Sequence, residues 1–395
     1  MGKIKDFLGL NASMHAMIVL VLFLGLGEKM AERFLPLYLI AVGGTPFLAG
    51  LLNSLNNLLN ALYSLPGGYA AERFGYKKAL TFFTALAMFG YLLVILVPAW
   101  QAVFLGAFFF ISWTAVTLPA VMSLVSKTVK TSQRTMGVSI HSFVKKIPMA
   151  LGPIVGGWLI TKYGTVSGIR IAFVFALALS AAALWFLHTR LEDGHTEKKN
   201  ENVFAMFKGL NGPLRSLLFS DILIRFAEQI PYAFVVLWVV KICGFSPSTF
   251  GLLSALEMVV SMLIYIPVAY FADKSEKKPF VLATFAIFTA FPLVLYYSHG
   301  MAALVLAFIL RGLKEFGEPT RKALILDLAP DDKKAGTFGA YYLVRDVVVA
   351  AGAALGAYLW TISPAVNLMT AFGCGAAGTL LFAIWGKEVK RNTPQ

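Results

Sequence analysis

Cysteine is nearly missing from this chain: Cys243 and Cys374 are the only two in 395 residues. That excludes a disulfide scaffold, and no Cys-x-x-Cys pair is present to hold a metal. Charge is also scarce, at 14% of residues, and acids are the rarer sign, with 20 Asp and Glu against 34 Lys and Arg. There is no glycine-rich nucleotide loop and no nucleophile elbow, so ATP-driven pumping and hydrolysis have no basis, and the chain does not read as an enzyme. No cofactor or metal is expected. Any work the protein does must draw on a gradient, and a proton gradient is the first candidate.

What the chain has in excess is apolar side chain, 58% of residues, with a mean hydropathy of +0.74. A soluble domain has a different balance. The apolar runs define twelve candidate spans at roughly 15–41, 47–71, 79–98, 101–125, 136–160, 171–189, 215–240, 250–272, 279–298, 301–326, 337–361 and 367–386. Each must be helical, because lipid offers no partner to a free backbone amide. Met1 to Ala12 is short and polar and the first apolar run is long, so no cleavable signal is expected.

Residues 43–77 recur as 244–278. Pro46, Gly50, Leu51, Leu55, Pro66, Tyr69, Ala71 and Lys77 reappear as Pro247, Gly251, Leu252, Leu256, Pro267, Tyr270, Ala272 and Lys278. The chain is a duplicated membrane unit, a plan that places a transport site between two halves. The expected organisation is an all-α membrane protein with a six-helix bundle over 1–189, a cytoplasmic linker over 190–214 and a second six-helix bundle over 215–395. A bundle that encloses its own pathway needs no partner subunit, so a functional monomer is expected.

Basic residues are placed by topology. With the amino terminus inside, cytoplasmic segments hold 21 Lys and Arg, whereas outer loops hold Lys162, Arg170 and Lys241. This bias puts both termini in the cytoplasm of an inner-membrane protein. It also accounts for the net charge of +14 without nucleic acid as a partner. The lipid bilayer and a small-molecule substrate are the expected partners.

Between spans 2 and 3 the chain reads Gly68-Tyr-Ala-Ala-Glu72-Arg73-Phe-Gly75-Tyr-Lys77-Lys78. This resembles the signature loop of the major facilitator superfamily, G-x-x-x-D/E-R-x-G-x-K/R-K/R. The second copy keeps Asp273, Lys274 and the trailing lysines but loses both glycines. The resemblance implies a twelve-helix transporter that works by alternating access. It also implies a gating role for Gly68, Glu72, Arg73 and Gly75, with Asp273 and Lys274 as the degenerate counterpart. A plainer reading is that these charges only fix topology.

On span 5, Gly152-Pro153-Ile-Val-Gly156-Gly157 resembles the G-P-x-x-G-G motif of drug-proton antiporters of that superfamily. Gly152, Pro153 and Gly156 are therefore gating candidates, and the resemblance favours export. Ordinary small-residue packing is the alternative. Glycines recur on span 11 as Gly352 and Gly356, without the proline.

Ionisable groups within a bilayer are costly, about 2.5 kcal/mol or more each unless paired or wetted. Span 1 carries Glu28, Lys29, Glu32 and Arg33, span 5 carries His141, Lys145 and Lys146, and span 7 carries Asp221, Arg225 and Glu228. Glu257 is on span 8, Arg311, Lys314, Glu315 and Glu318 are on span 10, and Arg345 and Asp346 are on span 11. Spacing predicts Arg311–Glu315 and Lys314–Glu318 as i,i+4 pairs. Glu28 and Glu32 are the first candidates for proton carriers, with Glu228, Glu257 and Glu315 behind them. Lys29, Arg33, His141, Lys145, Arg225, Arg311 and Lys314 are candidate cavity residues. Permanent structural salt bridges are the competing reading for all of them.

Asn53, Asn56, Asn57 and Asn60 fall at i, i+3, i+4 and i+7 of span 2, forming one polar stripe suited to a substrate or to helix-to-helix hydrogen bonds. Trp113 on span 4 is a candidate cavity aromatic. Glu28 to Phe34 also resembles the E-x-x-E-R-F signature of proton-coupled oligopeptide transporters, although its acids are four apart. The reading favoured by the sequence is proton-coupled export of an amphipathic or drug-like solute. Proton-coupled uptake of a polar or zwitterionic metabolite or peptide is the alternative.

Overall fold

The computed structural model describes residues 12–110, 134–190, 210–273, 276–330 and 334–387; side chains at 12–18, 64–72, 76, 134–143, 190, 265–273 and 334–336 fall outside that description. The described residues form fourteen helices of seven residues or more and no strand. The first span is α1 (Ala12–Glu32) followed by α2 (Leu35–Ala41), then come α3 (Pro46–Phe74), α4 (Tyr76–Leu96), α5 (Trp100–Phe110), α6 (Arg134–Tyr163) and α7 (Thr165–Arg190). The second half holds α8 (Gly212–Tyr232), α9 (Pro247–Asp273), α10 (Lys277–Tyr297), α11 (Met301–Leu313), α12 (Glu318–Leu328), α13 (Lys334–Ile362) and α14 (Pro364–Trp385). Between α8 and α9 lie one α turn, Val235–Leu237, and a π turn, Trp238–Ile242.

Among the described residues six helices are long and apolar enough to cross a bilayer, and α8 with Val235–Ile242 makes a seventh, bent by 40°. Of the remaining spans of the twelve-span plan, the first and tenth are broken, the second and fifth are richer in polar side chains, and Trp100–Phe110 is the described part of the fourth, an apolar helix of 11 residues. Three of the expected spans need correcting. The first span is interrupted at Arg33–Phe34, and the tenth is interrupted at Lys314–Gly317, so neither is one continuous helix. The seventh breaks at Ala233–Phe234, which matches the break in the first span.

Helix starts follow the local chemistry. Thr45 caps α3 by accepting from the Leu48 amide at 3.3 Å, ahead of Pro46. Its repeat mate Ser246 accepts from the Thr249 amide at 3.1 Å, ahead of Pro247. A side-chain oxygen at the cap and a proline in the first turn both suit amides that have no partner within the helix. Gly43 and Gly244, which open the two copies of the repeat, have φ of +89° and +74°, a backbone region that strains residues with a Cβ.

The chain divides into two compact units, Met1–Lys199 with Val236–Ala255, and Asn200–Val235 with Leu256–Gln395. In the first unit α1 packs along α6 and α7, around an aromatic knot in which Tyr91 lies 5.2 Å from Phe110 and 5.5 Å from Phe173. In the second, α8 packs along α13 and α14 around Leu217, Ile224, Phe285, Phe288, Leu324 and Phe382. Large apolar side chains such as Leu263, Trp185 and Leu380 are exposed, as lipid-facing residues should be.

Small residues let the backbones meet. A Cβ on Gly152 would lie 2.7 Å from the Lys29 carbonyl carbon, and one on Gly156 would overlap the Met30 carbonyl. The second unit repeats this: Gly352 meets Phe226 and Gly356 meets Ile230, each 200 positions on from its counterpart on the fifth span. Gly157 and Gly251 seat α6 against the first turns of α9, where a Cβ would meet Pro247 and Pro153 respectively. The glycines of the fifth-span motif are therefore used for close packing. Helix α6 continues through Pro148 and Pro153.

Candidate functional site

In the first unit the charges gather on the last turn of α1. Lys29 Nζ donates to Glu28 at 2.8 Å and also to Glu32, so one cation bridges the two predicted proton carriers. The Glu28 side chain is 5% exposed and that of Glu32 19%, so the two stacked acids have different surroundings. Arg33, at the break between α1 and α2, and Lys145 on α6 are half-buried, and their charges act on Glu32. Lys145 acts on Glu28 as well.

The second unit holds a longer chain of ion pairs. Arg345 on α13 lies 3.6 Å from Asp221 on α8, and Asp221 also pairs closely with Arg321 on α12. Arg321 bonds Glu318 at 2.6 Å, Glu318 bonds Arg225 at 3.1 Å, and Arg225 bonds Glu228 at 2.8 Å. From Glu228 the chain runs through Lys314 at 2.7 Å to Glu257 at 3.4 Å, and ends at Arg311, 3.4 Å from Glu257. The Tyr341 hydroxyl donates to Asp221 at 3.1 Å. Arg311 also lies within 6 Å of the rings of Tyr232, Phe291 and Phe308, which suits a desolvated guanidinium.

This wiring corrects the expected helical ladders. Arg311 pairs with Glu257 instead of Glu315, and Lys314 pairs with Glu228 and Glu257 instead of Glu318. The reason is the break at Lys314–Gly317, which removes the i,i+4 geometry and turns these side chains toward α8 and α9. Arg321, the largest of the fully buried side chains among the described residues, was missed by sequence reasoning, and so was Tyr341. Their partners lie 100 and 120 residues away, beyond any local spacing rule.

Asn53 is buried on α3, and Asn60 donates to Asn56 at 2.6 Å along the stripe. Asn57 is half-buried beside them. Shifted by the repeat's 201 positions, Asn53, Asn56 and Asn60 become Ser254, Glu257 and Ser261, all fully buried on α9. The polar face is thus duplicated, a signal that was present in the sequence alignment of the two halves. Phe34, Tyr38 and Trp238 are buried in packing, and Phe34 meets Phe250 edge-on at 5.4 Å.

Of the gating candidates, Gly75 has φ +86° at the junction of α3 and α4, while its repeat mate Glu276 has φ −61°, so the second copy has no need of glycine there. Arg73 lies over the Phe74 ring at 5.6 Å. Trp113 and Lys274 lie outside the described residues, as do the side chains of Glu72, His141 and Asp273; Gly68 falls on the stretch of α3 that also carries Glu72. No group of three or more His, Cys, Asp or Glu placed to hold a metal occurs among the described residues.

A duplicated all-helical membrane chain whose halves both carry buried charge is the architecture of a secondary transporter. The profile of the Major Facilitator Superfamily matches residues 17–225 and again 217–395, and the chain belongs to that superfamily of membrane transporters. It is 21% identical to an uncharacterised MFS-type transporter of Methanocaldococcus jannaschii, over 87% of each chain. It is 23% identical to the uncharacterised MFS-type transporter YqjV of Bacillus subtilis, over 78% of this chain and 76% of that one. Its fold is similar to the nucleoside transporter NupG, with a TM-score of 0.80 at 15% identity over 95% of this chain and 100% of that one. A POT peptide transporter gives a TM-score of 0.78 at 15% identity, over 94% and 93% of the two chains.

Proposed function

We propose that this protein moves a small, charge-bearing solute across a cytoplasmic membrane by alternating access, coupled to protons, as a monomer with both termini inside. The observation that carries this reading is the Glu28–Lys29–Glu32 triad: a buried acid and a half-buried one share one lysine, so a change in access to water shifts the balance between a proton and the lysine on each acid. Glu228 and Glu257 are each held by two bases and serve as reserve carriers at most. Glu315 stands with them. The loop from Gly68 through Glu72, Arg73 and Gly75, with Asp273 and Lys274, acts as the inner gate.

Two directions compete. Export of an amphipathic or drug-like solute rests on Gly152, Pro153 and Gly156, whose glycines are already accounted for by helix packing. Uptake of a polar or zwitterionic metabolite or peptide gains support from the charge-rich interior of both units, and it is the direction we favour. The test uses proteoliposomes with a trapped pH dye, challenged with pooled amino acids, dipeptides, nucleosides, organic acids and cationic dyes. Proton movement should follow one pool and vanish in Glu28→Gln or Glu32→Gln. Full coupling in both variants would remove the triad from the mechanism. Flux in right-side-out against everted vesicles then assigns the direction.

A further inference from the structure

Helix α6 has two faces with opposite tasks. Gly152, Gly156 and Gly157 lie on the packed face, whereas Leu151, Val155, Trp158 and Lys162, at i, i+4, i+7 and i+11, are exposed along the other. An apolar column of this kind belongs to lipid, and here it ends in a cation. Lys162 Nζ lies 4.9 Å from the centre of the Trp158 ring and 5.2 Å from that of Tyr163, which is exposed as well. The two rings meet edge-on at 6.3 Å. One exposed ammonium is thus held against two rings at a helix end, the level at which aromatic side chains gather in a membrane protein.

No acid is at hand for this cation. The chain has no Asp or Glu between Glu72 and Glu192, and the connections that the charge bias places outside, 42–46, 97–101, 162–170, 241–249, 298–301 and 362–366, contain none. Among the described residues the Lys162 ammonium meets only the two rings. The second half supplies a comparison. On the fifth and eleventh spans, 200 positions apart, Val155, Trp158, Lys162 and Tyr163 become Leu355, Tyr358, Ile362 and Ser363, and the exposure pattern of 151–159 recurs at 351–359. The lipid-facing column and one aromatic are kept there, so anchoring a helix end needs neither the lysine nor the second ring.

We infer that the end of α6 holds an anionic phospholipid of the outer leaflet, with its phosphodiester on Lys162, its glycerol against Trp158 and Tyr163, and an acyl chain along Val155 and Leu151. A glycerol headgroup leaves the phosphate charge uncompensated, whereas choline carries its own cation; a surface with bases and no acids selects the first. The leaflet follows from the orientation proposed above, but the binding does not depend on it. The lipid sits on the helix whose glycines meet α1 and the start of α9, so its occupancy should also steady that packing.

The test gives the full-length protein in detergent equal amounts of dioleoyl phosphatidylglycerol and dioleoyl phosphatidylcholine, and reads the retained lipid by native mass spectrometry. The native chain should retain phosphatidylglycerol in preference, and Lys162→Gln should retain one such lipid fewer per chain. Lys162→Arg should keep the native count. Ile362→Lys, which sets a lysine one turn beyond Tyr358, should add one. Inorganic phosphate and glycerol 3-phosphate, which lack acyl chains, should not displace the lipid. Phosphatidylglycerol should also raise the melting point of the native chain by more than that of Lys162→Gln. An unchanged count in Lys162→Gln, which a purely helix-end role for that lysine would give, would overturn the inference, and so would equal retention of the two lipids. Labelling of Cys243 from the inner side alone would move the site to the other leaflet and refute only the orientation.

Discussion

Replacing Asp221 with Asn preserves shape and removes one charge from the most enclosed point of the second unit. The Asp221 and Arg321 side chains are each 1% exposed, and Arg345, 3.6 Å from the same carboxylate, is 9% exposed. The substitution leaves three guanidinium groups, those of Arg321, Arg345 and Arg225, facing an uncharged amide, and the Tyr341 hydroxyl loses its anionic acceptor. Breaking a buried pair from one side costs about 3–5 kcal/mol. At about 2–4 °C per kcal/mol for a large domain, the melting point should fall by roughly 10 °C. The assay is thermal unfolding of the purified full chain, run as a cycle with Arg321→Gln. Because Glu318 keeps Arg225 and Lys322 when Arg321 is lost, the double variant should recover part of the single loss, with a coupling of about 1–3 kcal/mol. A drop of under about 2 °C for Asp221→Asn, or strict additivity, would show that this pair is wetted and not a closed bridge.

Glycine substitutions separate close packing from backbone strain. Gly156→Val should lose about 3 kcal/mol or fail to accumulate, since its side chain would overlap the Met30 carbonyl. Gly164→Ala has open space but φ +82°, and should lose about 1–2 kcal/mol; Gly212→Ala has open space and no positive φ, and should change stability by less than about 0.5 kcal/mol. Tyr341→Phe should lose about 1 kcal/mol in the same unfolding assay. For topology, a membrane-impermeant maleimide should label Cys243 in intact cells on a Cys374→Ser background, whereas Lys387→Cys, with both Cys243 and Cys374 replaced by Ser, should label only after permeabilisation. Burial pushes the Cys243 thiol up, so it stays protonated at neutral pH and its labelling rate should keep climbing as pH rises past 9.

The repeat and the spans were legible because each is a local pattern; the helix caps carry an equally local signal, which sequence reasoning missed. Thr45-Pro46 and Ser246-Pro247 announce helix starts in any context, and Gly43 and Gly244 mark turns that a side chain would strain. Pairing was legible only where the helix stays intact: Arg225 and Glu228, three apart on α8, do meet. Where Lys314–Gly317 interrupts the tenth span, spacing rules assigned partners that the backbone then turned away from each other. Arg321 and Asp221 could not be joined from sequence, because only tertiary packing brings α12 to α8. The carrier acids of the first span were chosen for being stacked, and the structure supplies the lysine between them.

The π turn at Trp238–Ile242 has an arithmetic origin. Up to Tyr38 and Trp238 the two halves align at 200 positions, over 43–77 and 244–278 they align at 201, and on the fifth and eleventh spans they align at 200 again. A π turn is what an α-helix becomes when it absorbs one inserted residue without unwinding. The second half therefore accommodates, as a wider coil in its first span, one residue more than the first half has between Tyr38 and Gly43. Removing one residue from 239–242 should restore ordinary helix there and bring residues 43–77 and their copy into the 200-residue step of the flanking spans.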